Sequence, residues 1–147
     1  MSQQTHRADP RILNRRTLGR NHRHLVELLK PGMSVLDVGC GTGAITAGIA
    51  RAVGPSGRVV GVDRDDSLLQ LARQEHGDFE NLSFEKQDVL SLNYKGYFDI
   101  VTAARALQWI ADSKTALARM KSAARAGGHI VVLDYNHDNN SWEPDPP

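Results

Sequence analysis

The sequence predicts an α/β fold, a parallel sheet of five strands with helices on both faces. Three observations carry that expectation. Val35, Leu36 and Val38 form an apolar run broken only by Asp37, as a parallel strand covered on both sides requires. Gly39-Cys40-Gly41-Thr42-Gly43 follows at once, a turn whose backbone a ligand can approach with no Cβ in the way. Ile45, Ile49 and Val53 then recur at i, i+4 and i+8, the stripe of a helix lying on a sheet. Strand, glycine turn and helix form the opening unit of a nucleotide-binding α/β fold.

Two spacings narrow the ligand. A dinucleotide turn reads G-x-G-x-x-G and faces a diphosphate with a helix N-terminus. Here the third glycine comes one residue early, giving G-x-G-x-G, and Asp37 lies two residues before the first glycine. A carboxylate there repels a diphosphate and suits a ligand carrying an ammonium or sulfonium charge. S-adenosylmethionine is cationic at sulfur and at its amine, and it has no phosphate.

Residues 1–10 are polar and expected to be loose. A helix is predicted over residues 20–29, ended by Pro31-Gly32. Its arginines read first as a solvated face. The functional alternative places Arg16, Arg20 or His22 against a ligand carboxylate. A nucleic-acid arm ranks last, because aromatic residues for stacking are absent.

Beyond the first helix, Gly54-Pro55-Ser56-Gly57 is a turn, and residues 58–62 form a second strand ending in Asp63. Asp63 lies 20 residues past Gly43, where an acid grips ribose hydroxyls: two vicinal hydroxyls donate to the two oxygens of one carboxylate. Capping of the next helix falls to Asp65, Asp66 or Ser67. That helix, over residues 67–75, is expected to bury Leu68, Leu71 and Ala72. The third strand spans residues 82–86 and leads into Gln87-Asp88-Val89; residues 93–96 turn the chain again.

Residues 98–103 form the fourth strand, with Asp99 near its start, opposite the ligand crevice, and so read as structural. A helix over residues 113–124 is expected to bury Ala116, Leu117, Met120 and Ala124 and to end in the glycine device of Gly127-Gly128. The fifth strand is predicted over residues 129–134. His129 opens it, far from the crevice, and is a poor catalytic candidate. The tail that follows is polar and rich in proline.

Five segments in order, VLDVGCGTG, VVGVDRD, FEKQDVLSL, FDIVTAARALQWI and AGGHIVVLDY, resemble the cofactor-binding core of class I S-adenosylmethionine-dependent methyltransferases of the small-molecule group. The resemblance covers roughly residues 25–135. It implies a Rossmann-like three-layer α/β/α sandwich in strand order 3-2-1-4-5, with S-adenosyl-L-methionine as cofactor. It also implies a cofactor site made of Asp37, Gly39, Cys40, Gly41, Gly43, Asp63, Arg64, Gln87, Asp88, Val89 and Ala104. In it Asp88 accepts from the adenine amine, the Val89 amide meets the ring, and Ala104 offers a backbone contact.

Two departures matter. Methyltransferases acting on exocyclic base amines or on glutamine often carry an Asn/Asp-Pro-Pro-aromatic motif after the fourth strand. This chain has Ala104-Arg105-Ala106-Leu107-Gln108-Trp109, which argues against those acceptors and leaves Leu107 and Trp109 as core or pocket wall. Relatives also have seven strands, the last two an antiparallel hairpin, whereas five are read here. The expectation is therefore a fragment or a shortened core: a basic segment and helix over residues 1–30, the cofactor-binding core over 31–135, and a polar tail over 136–147.

Composition sets bounds on this reading. A chain of 147 residues holds one domain, and 18 basic against 17 acidic residues give +1, so no global field draws it to nucleic acid or membrane. Residues 1–30 nevertheless carry a net +5 and the remainder −4. A single cysteine allows no internal disulfide, and no apolar run approaches the ~20 residues of a membrane span. A soluble cytoplasmic protein with a small-molecule substrate is expected, with no metal. The fifth strand exposes Ile130, Val131, Val132 and Leu133 along an edge, which invites a homo-oligomer, a swapped segment or the tail to cover it.

No catalytic residue is singled out. A methyl on a sulfonium is already activated, so in-line placement of the acceptor is the main task, and a general base is needed only if the acceptor must lose a proton. Asp134, Tyr135, His137, His22 and His24 are the side chains within reach of the crevice. Two other readings stand beside transfer: a cofactor-binding interaction module, and an NAD(P)-dependent oxidoreductase, which the glycine spacing and Asp37 disfavour.

Overall fold

The apolar run at residues 35–38 lies at the centre of the sheet. A computed structural model describes Leu18 and residues 22–104, 106–107 and 110–133 of the chain. The expectations on Arg16, Arg20, Trp109, Asp134, Tyr135 and His137, and on the two chain ends, lie outside those residues. Strand β1 (Ser34–Val38) pairs in parallel with β2 (Arg58–Asp63) on one side and β4 (Phe98–Ala104) on the other. β3 (Leu82–Lys86) and β5 (Ala124–Leu133) flank them, giving the order β3-β2-β1-β4-β5. The strand order expected from the sequence is the one observed.

Alternation along the strands sorts the core into two layers. Leu36, Val38, Val60, Val62, Val101 and Ala103 meet helix α4 (Ser113–Ala123) through Ala116, Met120 and Ala123. Val35, Val59 and Ile100 meet helix α2 (Ala44–Val53) through Ile45, Ile49 and Val53, with Leu25 of helix α1 (Arg23–Leu28) beside them. Helix α3 (Asp66–His76) covers β2 and β3 and is capped by Asp65, whose side chain accepts from the Ser67 and Leu68 amides. Asn81 donates to the carbonyls of Ala50 and Gly54 at 2.9 and 2.8 Å, closing the C-terminal end of α2.

Three sequence expectations need correction. In α3, Leu69 is buried and Leu71 is 40% exposed, because Leu68, Leu69 and Ala72 share the inward stripe. In α4, Ala116, Met120 and Ala123 form that stripe at i, i+4 and i+7, which leaves Leu117 38% exposed. Gly127-Gly128 does not end α4. The helix stops at Ala123, Ala124 is already extended, and both glycines lie within β5, which puts His129 in mid-strand. Gly127 takes φ +82°, and a Cβ on Gly128 would come within 2.8 Å of the Asp99 carbonyl oxygen. The pair therefore serves a register shift between β4 and β5 near Phe98 and Ile100.

Asp99 stands at this same end of the sheet. Its Oδ2 accepts from the Ser34 amide at 2.8 Å and its Oδ1 from Arg125 Nε, so one carboxylate ties β1, β4 and β5 together.

Candidate functional site

The site grows from the end of β1. Asp37 is 4% exposed and lies under α2, where the Thr46 hydroxyl donates to its Oδ2 at 2.7 Å. Burial pushes the Asp37 carboxyl up to about 7 against a bond from Thr46 that holds it down, and the charge of Asp63 raises it further. The Cys40 thiol is pushed well above its usual range by burial and by Asp37 and Asp63, so it stays a neutral wall group.

The turn that follows needs its glycines. Gly39, Gly41 and Gly43 have φ of +72°, +59° and +85°. Space is short as well: a Cβ on Gly39 would fall 2.6 Å from the Ala106 Cβ, and one on Gly43 2.8 Å from Phe84 Cζ.

The direction of the turn's amides decides what it can hold. Gly39 and Cys40 both donate to the Val62 carbonyl, at 2.8 and 3.0 Å. Gly41 donates to Asp63 Oδ2 at 2.9 Å, and Gly43 to the Cys40 carbonyl at 3.0 Å. A diphosphate cradle aims such amides at its ligand. Here four of the five are spent inside the protein, and two carboxylates border the loop. The arrangement disfavours an anion and suits a cation.

A cleft between this turn and the end of β4 is lined by Asp37, Gly39, Cys40, Thr42, Ala44, Ile45 and Ala104. Among the expected site residues it unites Asp37, Gly39, Cys40 and Ala104. Gly41, Asp63 and Gln87 join through hydrogen bonds instead, since the Gln87 amide donates to the Asp63 carbonyl at 3.1 Å. The second oxygen of Asp63 accepts from the Asp65 amide at 2.8 Å. Arg64 follows and is exposed.

Asp88 accepts from the Leu90 amide at 3.0 Å and so caps the 3₁₀ turn Val89–Ser91. The Val89 side chain is buried in the core. The Gln87 side chain is turned onto Glu85, at 2.7 Å, and only its main chain shapes the loop.

Two residues of the site are not among those the sequence singles out. Thr42 is 2% exposed, and its hydroxyl has no partner among the described residues. It stands beside the start of α2, which has no side-chain cap. Thr46 is fully buried on the apolar face of α2, and a polar residue on that stripe is the signal that points to it.

Neither described histidine offered for the crevice lines the cleft. His22 is 3% exposed with its Nε2 2.9 Å from Thr102 Oγ1, whose own hydrogen goes to the Val131 carbonyl at 2.8 Å. His24 is exposed beside Glu27.

Comparison with known proteins agrees with this geometry. Residues 29–144 match the methyltransferase domain family. A ubiquinone/menaquinone biosynthesis C-methyltransferase of Hahella chejuensis is 36% identical over 116 residues, 76% of this chain and 47% of that protein. The chain thus spans about half the length of the curated relatives it matches. Among solved structures, an S-adenosylmethionine-dependent methyltransferase from Aquifex aeolicus superposes with a TM-score of 0.78 at 22% identity, over 96% of this chain and 79% of that one. A phosphoethanolamine N-methyltransferase of Haemonchus contortus, solved with S-adenosyl-L-methionine, gives a TM-score of 0.70 at 24% identity, over 78% and 27% of the two chains. On its fold, its glycine turn and its match over residues 29–144, the chain belongs to the methyltransferase domain family.

Proposed function

We propose that the chain binds S-adenosyl-L-methionine in the cleft beside the glycine turn and serves transfer of its methyl group to a small-molecule acceptor. The observation that carries this reading is the inward direction of the Gly39, Cys40 and Gly41 amides beside Asp37 and Asp63. The cofactor supplies a methyl already activated on a cationic sulfur.

The residues present fit such a group. Asp63 retains lone pairs for two ribose hydroxyls after its backbone bonds. Asp88 has a carboxylate oxygen left for an amine, and the Val89 amide carries no hydrogen bond to the described residues. Asp37 favours positive charge in the cleft, and the Thr42 hydroxyl, otherwise unpartnered among the described residues, is able to bond a polar group there. The names of the curated relatives support a small-molecule acceptor.

No helix among the described residues is long and apolar enough to cross a membrane. We assign the protein to the cytoplasm, and we propose that the outer edge of β5, where Val132 is 38% exposed, pairs with a second copy of the chain. Light scattering at increasing concentration tests the pairing, and a monomer throughout excludes it.

Thermal unfolding with S-adenosylhomocysteine and with NAD tests the cofactor assignment. A ligand at about 100 times its Kd stabilises by about 2.7 kcal/mol. Stabilisation by the adenosyl compound and not by NAD is expected, and the reverse pattern overturns the assignment.

A further inference from the structure

One polar cluster outside the proposed cofactor contacts remains without a task. Glu85 Oε1 accepts two hydrogen bonds, from Gln87 Nε2 at 2.7 Å and from the Tyr94 hydroxyl at 2.8 Å. Gln87 is the residue immediately before Asp88, and its amide also donates to the carbonyl of Asp63. The loop is thereby pinned twice, by main chain to the strand that bears the ribose acid and by side chain to Glu85.

Tyr94 gives that second pin a firm base. Its ring packs edge-on against Phe98, 5.0 Å between centroids, and Phe98 is fully buried. Just before it, the Leu92 carbonyl accepts from Arg119 of α4 at 3.1 Å. A line of contacts therefore runs from the core through Tyr94 and Glu85 to Gln87, and so to the Asp88 carboxylate and the Val89 amide.

Those two groups, on the cofactor reading on which this inference rests, meet the edge of the base. Adenine presents an amine and an unprotonated ring nitrogen there, whereas a 6-oxo purine presents a carbonyl and an N–H. A carboxylate and an amide N–H held in fixed register accept the first and reject the second. We propose that Glu85 and Tyr94 are positioning residues that hold Asp88 and the Val89 amide in that register and so set the preference for adenine.

The test measures Kd by calorimetry for S-adenosylhomocysteine and for S-inosylhomocysteine, its 6-oxo analogue. The proteins compared are the wild type, Glu85→Ala, Glu85→Gln and Tyr94→Phe. Tyr94→Phe loses one supporting hydrogen bond and is expected to lower the ratio of the S-inosylhomocysteine Kd to the S-adenosylhomocysteine Kd by about threefold to tenfold, and Glu85→Ala, which loses two, by at least as much. Glu85→Gln keeps an oxygen able to accept both bonds and is expected to retain the wild-type ratio. Tyr94→Phe removes a single oxygen from a half-buried ring, so it supplies the measurement even if Glu85→Ala does not fold. If Glu85→Ala and Tyr94→Phe keep the wild-type ratio, or lose affinity for both compounds in parallel, the positioning role alone is overturned. A wild-type protein that binds neither compound overturns the cofactor reading, and this inference with it.

Discussion

The amide of Gly41 donates to Asp63 Oδ2 at 2.9 Å, so the carboxylate that ends β2 also holds the turn that follows β1. These strands are neighbours in register, with Val38 opposite Val62, and the bond joins their adjacent ends. One side chain thus shapes the cradle and, on the proposed function, also grips the ligand. Its replacement should disturb both.

Asp63→Ala is expected to weaken binding of S-adenosylhomocysteine by roughly 1.5–3 kcal/mol, the scale of hydrogen bonds to a charged group. Calorimetry reads this as a rise in Kd of about 10-fold to 150-fold. An unchanged Kd removes Asp63 from the site.

Asp37 makes the stability of the ligand-free protein fall as pH rises. Burial raises its carboxyl from 3.8 to about 7, so the folded state keeps a proton that the unfolded chain has already released. The contribution is complete below the unfolded value and is lost as pH climbs through the folded one, with an upper limit of about 4 kcal/mol. Urea unfolding of wild type and Asp37→Asn at about pH 5.5 and about pH 8 isolates it, because other titrating groups cancel between the two proteins. The variant is expected to gain on the wild type toward pH 8. Equal slopes would show that Asp37 is already ionised in the folded protein at about pH 5.5.

Two glycines with positive φ separate backbone strain from crowding. Gly96 has φ +59° and open space where a Cβ would stand, so Gly96→Ala is expected to cost only the left-handed penalty of about 1–2 kcal/mol. Gly43 has φ +85°, with Phe84 Cζ and His76 Cδ2 at 2.8 and 3.1 Å from the added carbon. Gly43→Ala should therefore cost more than Gly96→Ala by about 1–3 kcal/mol, the scale of overpacking, and also reduce cofactor affinity. Equal losses in both would show that Phe84 gives way.

Much of this architecture is legible in the amino-acid sequence. The five strands and the glycine turn follow from patterns that local sequence controls, apolar runs, helical stripes and φ > 0 positions, whereas their order comes from the family resemblance. Asp63 is legible because its place depends only on strand and helix length. The phase of α3 and α4 is not, because Leu71 and Leu117 are as apolar as the residues that win the inward stripe, and only the neighbouring strands choose between them. Gly127-Gly128 misleads for a similar reason. A glycine pair after a helix reads as a cap, yet here its need arises from the close approach of β4. The Glu85 cluster joins residues across a turn whose path no local pattern specifies.

Asn81 offers a stability test at the end of the sheet away from the cleft. Its side-chain amide donates to the carbonyls of Ala50 and Gly54, adding a second donor to acceptors that the Gly54 and Gly57 amides already engage at the end of α2. Asn81→Ala is expected to lose about 1–3 kcal/mol, two net hydrogen bonds, in urea unfolding. Asn81→Asp should be worse at neutral pH, because it aims a charged acceptor at two carbonyl oxygens and brings no donor. Acid restores one donor by protonating the carboxyl, so the Asp variant should approach Asn81→Ala as pH falls. Neither change should alter the Kd for S-adenosylhomocysteine. If Asp and Ala are equivalent at neutral pH, the two carbonyls are not what holds Asn81 in place.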